Sequence, residues 1–233
     1  VCDCERQEAQ GLAAAHIEEH LAEAVEDQWA VAEIPPRYVD ARFSTFEPRD
    51  GTEVAHARAQ EWAASFEAPE RTPRGELTAP GTAGGLLFVG PYGSGKTHLA
   101  VAAAREAMER TIELARYVGA AGLIQKVKGG ADLDMSPVRD AIGAELLVLD
   151  DLGQVGRTDF DREIIYRIVS ERYEAERPML VTSNLGPDRL GDLLGGALAS
   201  RLYEATELLV LTAADYRKRM AKRRTADARR GGP

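Results

Sequence analysis

The chain has 233 residues, 44% of them hydrophobic and 29% charged, and a net charge of −9. That length allows one substantial core with a small appendage, in the proportions of an ordinary globular protein. No apolar run approaches a membrane-spanning length of about 18 residues and no signal-peptide pattern opens the chain, which predicts a cytoplasmic protein with no membrane partner.

Val1 stands where an initiating Met is expected, which leaves a truncated amino end or a miscalled start as the two readings. Cys2 and Cys4 form a C-x-C pair, too close for a structural disulfide and too few for a closed four-ligand zinc site. They are either half of a zinc site whose other cysteine pair lies upstream, with Zn²⁺ as its cofactor, or two incidental thiols. Residues 5–32 are rich in Ala, Glu and Leu, and Leu12, Ile17, Leu21, Ala24 and Val25 recur at helical spacing, which predicts a helix. Pro35 and Pro36 break it. A domain boundary follows, with residues 1–34 as a helical N-terminal extension. Residues 41–49 read as a loop bearing Phe43 and Phe46, residues 52–66 as an amphipathic helix capped by Thr52, and residues 70–85 as a linker.

From residue 85 strand and helix patterns alternate. Strands are expected over 85–89, 113–118, 146–150, 179–182 and 208–211, and helices over 98–110, 120–128, 138–143 and 160–175. This alternation predicts an α/β core, residues 35–216, with a mainly parallel sheet flanked by helices on both faces. The charge is uneven. Acidic residues such as Glu18, Glu19, Glu23, Glu26 and Asp27 crowd the front, whereas Arg217, Lys218, Arg219, Lys222, Arg223, Arg224, Arg229 and Arg230 make residues 217–233 a basic tail. Such a tail suits contact with nucleic acid, and its alternative is solvated charge alone.

The segment Gly90, Pro91, Tyr92, Gly93, Ser94, Gly95, Lys96, Thr97 follows an apolar strand and opens a helix, in the order that a G-x-x-x-x-G-K-T phosphate loop requires. Its glycines permit the tight turn that aims backbone N–H groups at an anion, and the helix start adds a positive field. Lys96 would reach the β- and γ-phosphates of a nucleoside triphosphate, and Thr97 would ligate Mg²⁺. The strand 146–150 ends in Asp150 and Asp151: the first would hold Mg²⁺ and the second would orient or deprotonate an attacking water. Asn184 follows another strand and either bonds the γ-phosphate and the water or simply turns the chain. Arg201, in a short helical stretch, either pairs on the surface or projects into a neighbouring subunit's nucleotide site.

Taken in order, G-P-Y-G-S-G-K-T, L-L-V-L-D-D-L-G, P-M-L-V-T-S-N-L, S-R-L-Y and A-D-Y-R resemble the DnaC/IstB group of AAA+ ATPases. The C-x-C pair and the later I-P-P-R-Y with Phe43 and Phe46 resemble DnaC/DnaI-type bacterial or phage helicase loaders, in which C-x-C completes a zinc ribbon. The resemblance implies an AAA+ P-loop core binding ATP and Mg²⁺. It makes residues 90–97 Walker A, Asp150 and Asp151 Walker B, Asn184 sensor 1, Arg201 the arginine finger and Arg217 a candidate nucleotide-sensing arginine. It further implies slow, assembly-dependent hydrolysis of ATP to ADP and phosphate, self-association through the ATPase domains, and delivery of a replicative DNA helicase to single-stranded DNA. The alternative within the group is an IstB-like transposition helper that binds DNA and a transposase. Two departures are an Asp at position 151, where many AAA+ proteins carry Glu, and the missing first half of the ribbon. Outside the group, a small-molecule kinase would have no use for Asn184 with Arg201. A pure binding module would not need Lys96, Asp150 and Asp151 together.

Overall fold

The computed structural model describes residues 27, 29–67, 70–71, 77–79, 81, 84–111, 115–129, 133–155 and 158–220. The predicted helix over 5–32, apart from its last turn, lies outside these residues, as do Cys2, Cys4 and the tail beyond residue 220. Trp29 and Ala32, which precede the proline break, are buried, and Trp29 packs into the same apolar cluster as the sheet.

Helix α1 (Glu53–Ala64) buries Ala55, Ala59 and Ala63, one residue per turn along a single stripe. Thr52 takes its N-cap position without capping it. Its hydroxyl donates instead to Arg49 O at 2.7 Å and accepts from Arg49 N at 2.9 Å, closing the preceding turn. The expected linker contains two short antiparallel strands, β1 (Glu70–Arg71) and β2 (Leu77–Ala79). Strand β3 (Gly85–Val89) then leads through the glycine loop into α2 (Lys96–Thr111), two residues earlier than periodicity suggests. β4 (Ala115–Gly119), α3 (Ala120–Lys128), α4 (Ser136–Gly143) and β5 (Leu146–Asp150) follow. After them come α5 (Asp159–Glu174), β6 (Met179–Ser183), α6 (Pro187–Leu194), α7 (Gly196–Ala205) and β7 (Thr206–Val210). Helix α6 is not among the helices expected from the sequence, which offers only a turn at Asn184 as one of two readings there. Proline suits the first helical position, where its missing N–H costs nothing.

Strands β4, β5, β6, β3 and β7 form one sheet in that order, every pairing parallel. The pleat sends Leu86, Phe88, Val148 and Leu180 to one face, against α1 and α2, and Leu87, Val89, Leu147, Leu149 and Val181 to the other, among residues of α3 to α7. The result is three layers, with β6 inserted between β3 and β5. The carboxyl ends of these three central strands therefore lie side by side, where open parallel sheets bind ligands.

One buried polar residue pins this arrangement from beneath. Arg172 of α5, with no exposed surface, donates to Ala141 O at 2.9 Å, Ile142 O at 3.1 Å, Ala144 O at 2.6 Å, Glu145 O at 3.3 Å and Pro178 O at 2.7 Å. It thereby gathers carbonyls from the C-terminal end of α4, which lack helical partners, with the residues leading into β5 and β6. Burial lowers its pKa to about 9.

Candidate nucleotide site

The loop from Gly90 to Thr97 wraps the end of β3. Gly93, at φ 71°, lies so close to Asp215 that a side chain there would collide with it. Gly95, at φ 110°, sits under Phe46, where a Cβ would come within 2.7 Å of the ring. Gly90 N donates to Ser183 O at 3.2 Å, which ties the loop to the end of β6. Pro91 O accepts from Ser94 N at 3.3 Å, Tyr92 is largely exposed, and Ser94 is buried. Lys96, also buried, sends its ammonium back to Gly90 O and Pro91 O, each at 2.8 Å. Burial pulls its pKa below the usual lysine value, against the raising effects of Asp151 and Asp150.

Asp150 is held by three hydroxyls. Thr97 Oγ1 donates to its Oδ1 at 2.7 Å, Thr182 Oγ1 to the same oxygen at 2.6 Å, and Tyr117 OH to Oδ2 at 2.7 Å. Burial, and then the Asp150 charge, push the Tyr117 pKa well up, so its phenol remains a donor. Asp151 turns off the strand in the left-handed region, at φ 59° and ψ 45°, a conformation that Asp tolerates better than most residues. Its N–H donates to Thr182 Oγ1 at 2.9 Å, so one threonine fixes both the Asp150 side chain and the Asp151 backbone. Burial and the neighbouring Asp150 raise the Asp151 pKa, and Gln154 Nε2 donates to its Oδ2. Asn184 follows β6 and faces Gly153 so closely that a Cβ on that glycine would strike its Oδ1, a buried atom with no hydrogen-bond partner among the described residues. Asp150 and Thr97 place hard oxygen donors side by side, the ligand chemistry that Mg²⁺ prefers. Among the described residues no cluster of three or more His, Cys, Asp or Glu side chains is arranged to hold a metal, so zinc has no seat among them.

Arg201 lies elsewhere. On α7 it donates to Tyr166 OH at 2.6 Å and Ser170 Oγ at 2.7 Å, both from α5, with its guanidinium 5.2 Å from the Tyr166 ring centroid. None of these residues lines the cleft over the phosphate loop. Arg217 does line it, together with Lys96 and Thr97.

That cleft, about 220 Å³, is lined as well by residues not expected at the site from the sequence, among them Arg37, Tyr38, Phe46, Arg49, His98 and Tyr216. Arg49 Nη2 donates to Gly93 O at 2.9 Å and Ser94 O at 3.2 Å while its guanidinium lies 4.9 Å from the Tyr216 ring centroid. Tyr216 N donates to Gly93 O as well, at 3.0 Å. A loop before α1 and the first residue of a helical stretch after β7 thus grip the same carbonyl of the phosphate loop. The I-P-P-R-Y run and the Phe43/Phe46 pair are the sequence signals for this wall of the cleft, and they carry no placement by themselves.

Residues 81–224 match the family model described as IstB-like ATP binding protein. Among curated proteins, the chain is similar to the insertion sequence IS5376 putative ATP-binding protein of Geobacillus stearothermophilus, 27% identical over 142 residues, or 58% of this chain and 55% of that protein. It is equally similar to the replicative helicase loader DnaC of Escherichia coli K12, 27% identical over 146 residues, or 60% of this chain and 59% of that protein. It therefore spans little more than half the length of these relatives. The crystal structure of the DnaC helicase loader, 28% identical, superposes with a TM-score of 0.65, covering 76% of this chain and 100% of that one. The expected AAA+ P-loop architecture is the one the chain adopts.

Proposed function

The chain belongs to the IstB-like ATP-binding family, and from that premise we propose that it hydrolyses ATP and uses the cycle to assemble with its own copies and load a replicative DNA helicase onto single-stranded DNA. The observation that carries the ATPase reading is the convergence on Asp150 of Thr97 from the phosphate loop and Thr182 from the strand that precedes Asn184. The likeness to the DnaC crystal structure over that chain's whole extent supports the loader role. The matching family model and the IS5376 relative support a second reading, a transposition helper.

In this reading the N–H groups of residues 93–97 and the Lys96 ammonium hold the phosphates, and the ammonium exchanges its two loop carbonyls for β- and γ-phosphate oxygens. A bound Mg²⁺, held by Thr97 and Asp150, would supply charge neutralisation on those phosphates. Asp151 accepts the proton of the attacking water as its oxygen bonds the γ-phosphorus and ADP departs with the bridging oxygen. Asn184 Oδ1 holds that water in line. Arg217, which lines the cleft, senses the phosphates. Cys2 and Cys4 would contribute to a zinc ribbon only with an upstream cysteine pair, and they lie outside the described residues.

Arg201 is proposed to reach a neighbour's nucleotide. Arg201→Ala should then leave ATP affinity unchanged but reduce hydrolysis about 10³-fold at protein concentrations where subunits associate. A dilute monomer that hydrolyses as fast as the assembly would remove this role. The tail is proposed to bind DNA phosphates. Ending the chain after Tyr216 should weaken binding to single-stranded DNA and flatten its salt dependence by about 0.7 for each phosphate no longer neutralised. An unchanged slope in a fluorescence-anisotropy titration would leave the tail as solvated charge. The loader and helper readings separate in one pull-down. The chain retains the host's replicative helicase with ATP present if the first is right, and the transposase encoded beside it if the second is.

A further inference from the structure

Asp150 is gripped from two sides, and only one side belongs to the phosphate machinery. Thr97 and Thr182 both donate to Oδ1, whereas Oδ2 receives Tyr117 OH from β4, the strand at the sheet edge. A phenylalanine would fill this position in an apolar core equally well. A buried phenol needs an acceptor, and here the acceptor is the carboxylate at the centre of the site. The same residue reaches the other way through its backbone. Tyr117 N donates to Ala32 O at 2.8 Å, so the segment that leaves the N-terminal extension is bonded to the outer edge of β4. Glu33, at φ 59°, fixes this junction through ion pairs with Arg116 of β4 at 3.2 Å and Lys126 of α3 at 3.1 Å. Trp29, buried beneath, donates Nε1 to Val39 O at 3.1 Å, with Arg105 4.9 Å from its ring centroid.

We infer that Tyr117 is a positioning residue for Asp150, and that through it the docking of residues 29–34 against β4 sets the pose of that carboxylate. The inference rests on the ATPase reading of Asp150. The relay is short. A shift of the Ala32–Tyr117 pairing moves a strand residue whose hydroxyl is one of three donors on the carboxylate, and loss of that donor frees the Oδ2 side to rotate. Whatever engages the N-terminal extension would then be felt at the metal-facing oxygens without touching the nucleotide.

Tyr117→Phe in the full chain removes one hydroxyl and leaves the ring. Two quantities are read: the Mg²⁺ concentration for half-maximal binding of a fluorescent ATP analogue, and the rate of ATP hydrolysis at saturating nucleotide. The first should rise about tenfold, as expected for losing a hydrogen bond to a charged group, and the second should fall with KM little changed. Affinity for the analogue in EDTA should stay at the wild-type value, and the melting temperature of the nucleotide-free protein should fall only by the few degrees that one lost buried hydrogen bond costs. A purely structural tyrosine would lower the melting temperature and spare the Mg²⁺ midpoint, and that outcome overturns the inference. Asp150→Asn separates the two levels. If it leaves Mg²⁺ dependence intact, the ATPase reading of Asp150 fails; if it abolishes the dependence while Tyr117→Phe behaves as wild type, only the Tyr117 role fails. The relay is tested by Glu33→Lys, which reverses the surface charge holding the junction. It should raise the Mg²⁺ midpoint in the wild-type background and add nothing in Tyr117→Phe. Equal shifts in both backgrounds, or none in the wild type, overturn the relay.

Discussion

Lys96→Ala removes ATP turnover, with hydrolysis reduced about 10²–10³-fold and nucleotide affinity reduced alongside it. The side chain is buried, carries its ammonium inside the loop's curl, and already occupies two carbonyls at 2.8 Å, so it is held ready for anionic oxygens at little cost in side-chain entropy. Alanine is a good helix former at the start of α2, so the fold should survive. Lys96→Arg should not restore activity, because a planar, longer guanidinium cannot enter a curl shaped for a compact point charge. Isothermal titration with ATP and a phosphate-release assay check both variants. Ordinary turnover by Lys96→Ala would falsify the assignment of the phosphate loop.

The largest effect on stability should come from a residue that touches no nucleotide. Arg172→Ala is expected to cost about 4 kcal/mol, because a cluster of buried carbonyls loses its donor at about 1–3 kcal/mol per group left unpaired, and a cavity opens besides. For a domain of this size that corresponds to a fall in melting temperature of about 10 °C. Arg172→Lys should recover only part of the loss, since a single ammonium with three donors cannot serve five carbonyls spread over two chain segments. Urea unfolding of the three proteins measures this. A melting temperature for Arg172→Ala within about 2 °C of wild type would show that water replaces the guanidinium without penalty.

The parts of the site readable from the sequence are those in which a short stretch of chain suffices. The glycine loop between strand and helix, and the apolar strand ending in Asp150 and Asp151, each contain their own geometry. What could not be read depends on which strands become neighbours. Thr182 and Tyr117 sit in correctly expected strands, yet their meeting at Asp150 follows from β6 and β4 flanking β5, and no local pattern carries that order. Arg49 and Tyr216 lie far apart along the chain and converge on Gly93 O only because α1 and the end of β7 pack on the same side of the sheet. Short elements escape the sequence for a different reason. The pair β1 and β2 is too short to display a period of two, and in α6 a proline that starts a helix looks like one that ends a strand.

The placement of β6 between β3 and β5 also governs how the chain is born. Neither of those two strands can find its inner neighbour until residue 183 has left the ribosome, although β3 is complete by residue 89 and β5 by residue 150. During that interval β3 and β5, apolar but for Asp150, each present a bare hydrogen-bonding edge, the kind of surface that pairs with other chains. Nascent chains halted before β6 should therefore be insoluble and bound by chaperones, and no truncated product ending there can retain nucleotide. The strand that brings Asn184 to the site is also the one that closes the inner edges of both β3 and β5, and the outer edge of β3 waits for β7 at Thr206–Val210.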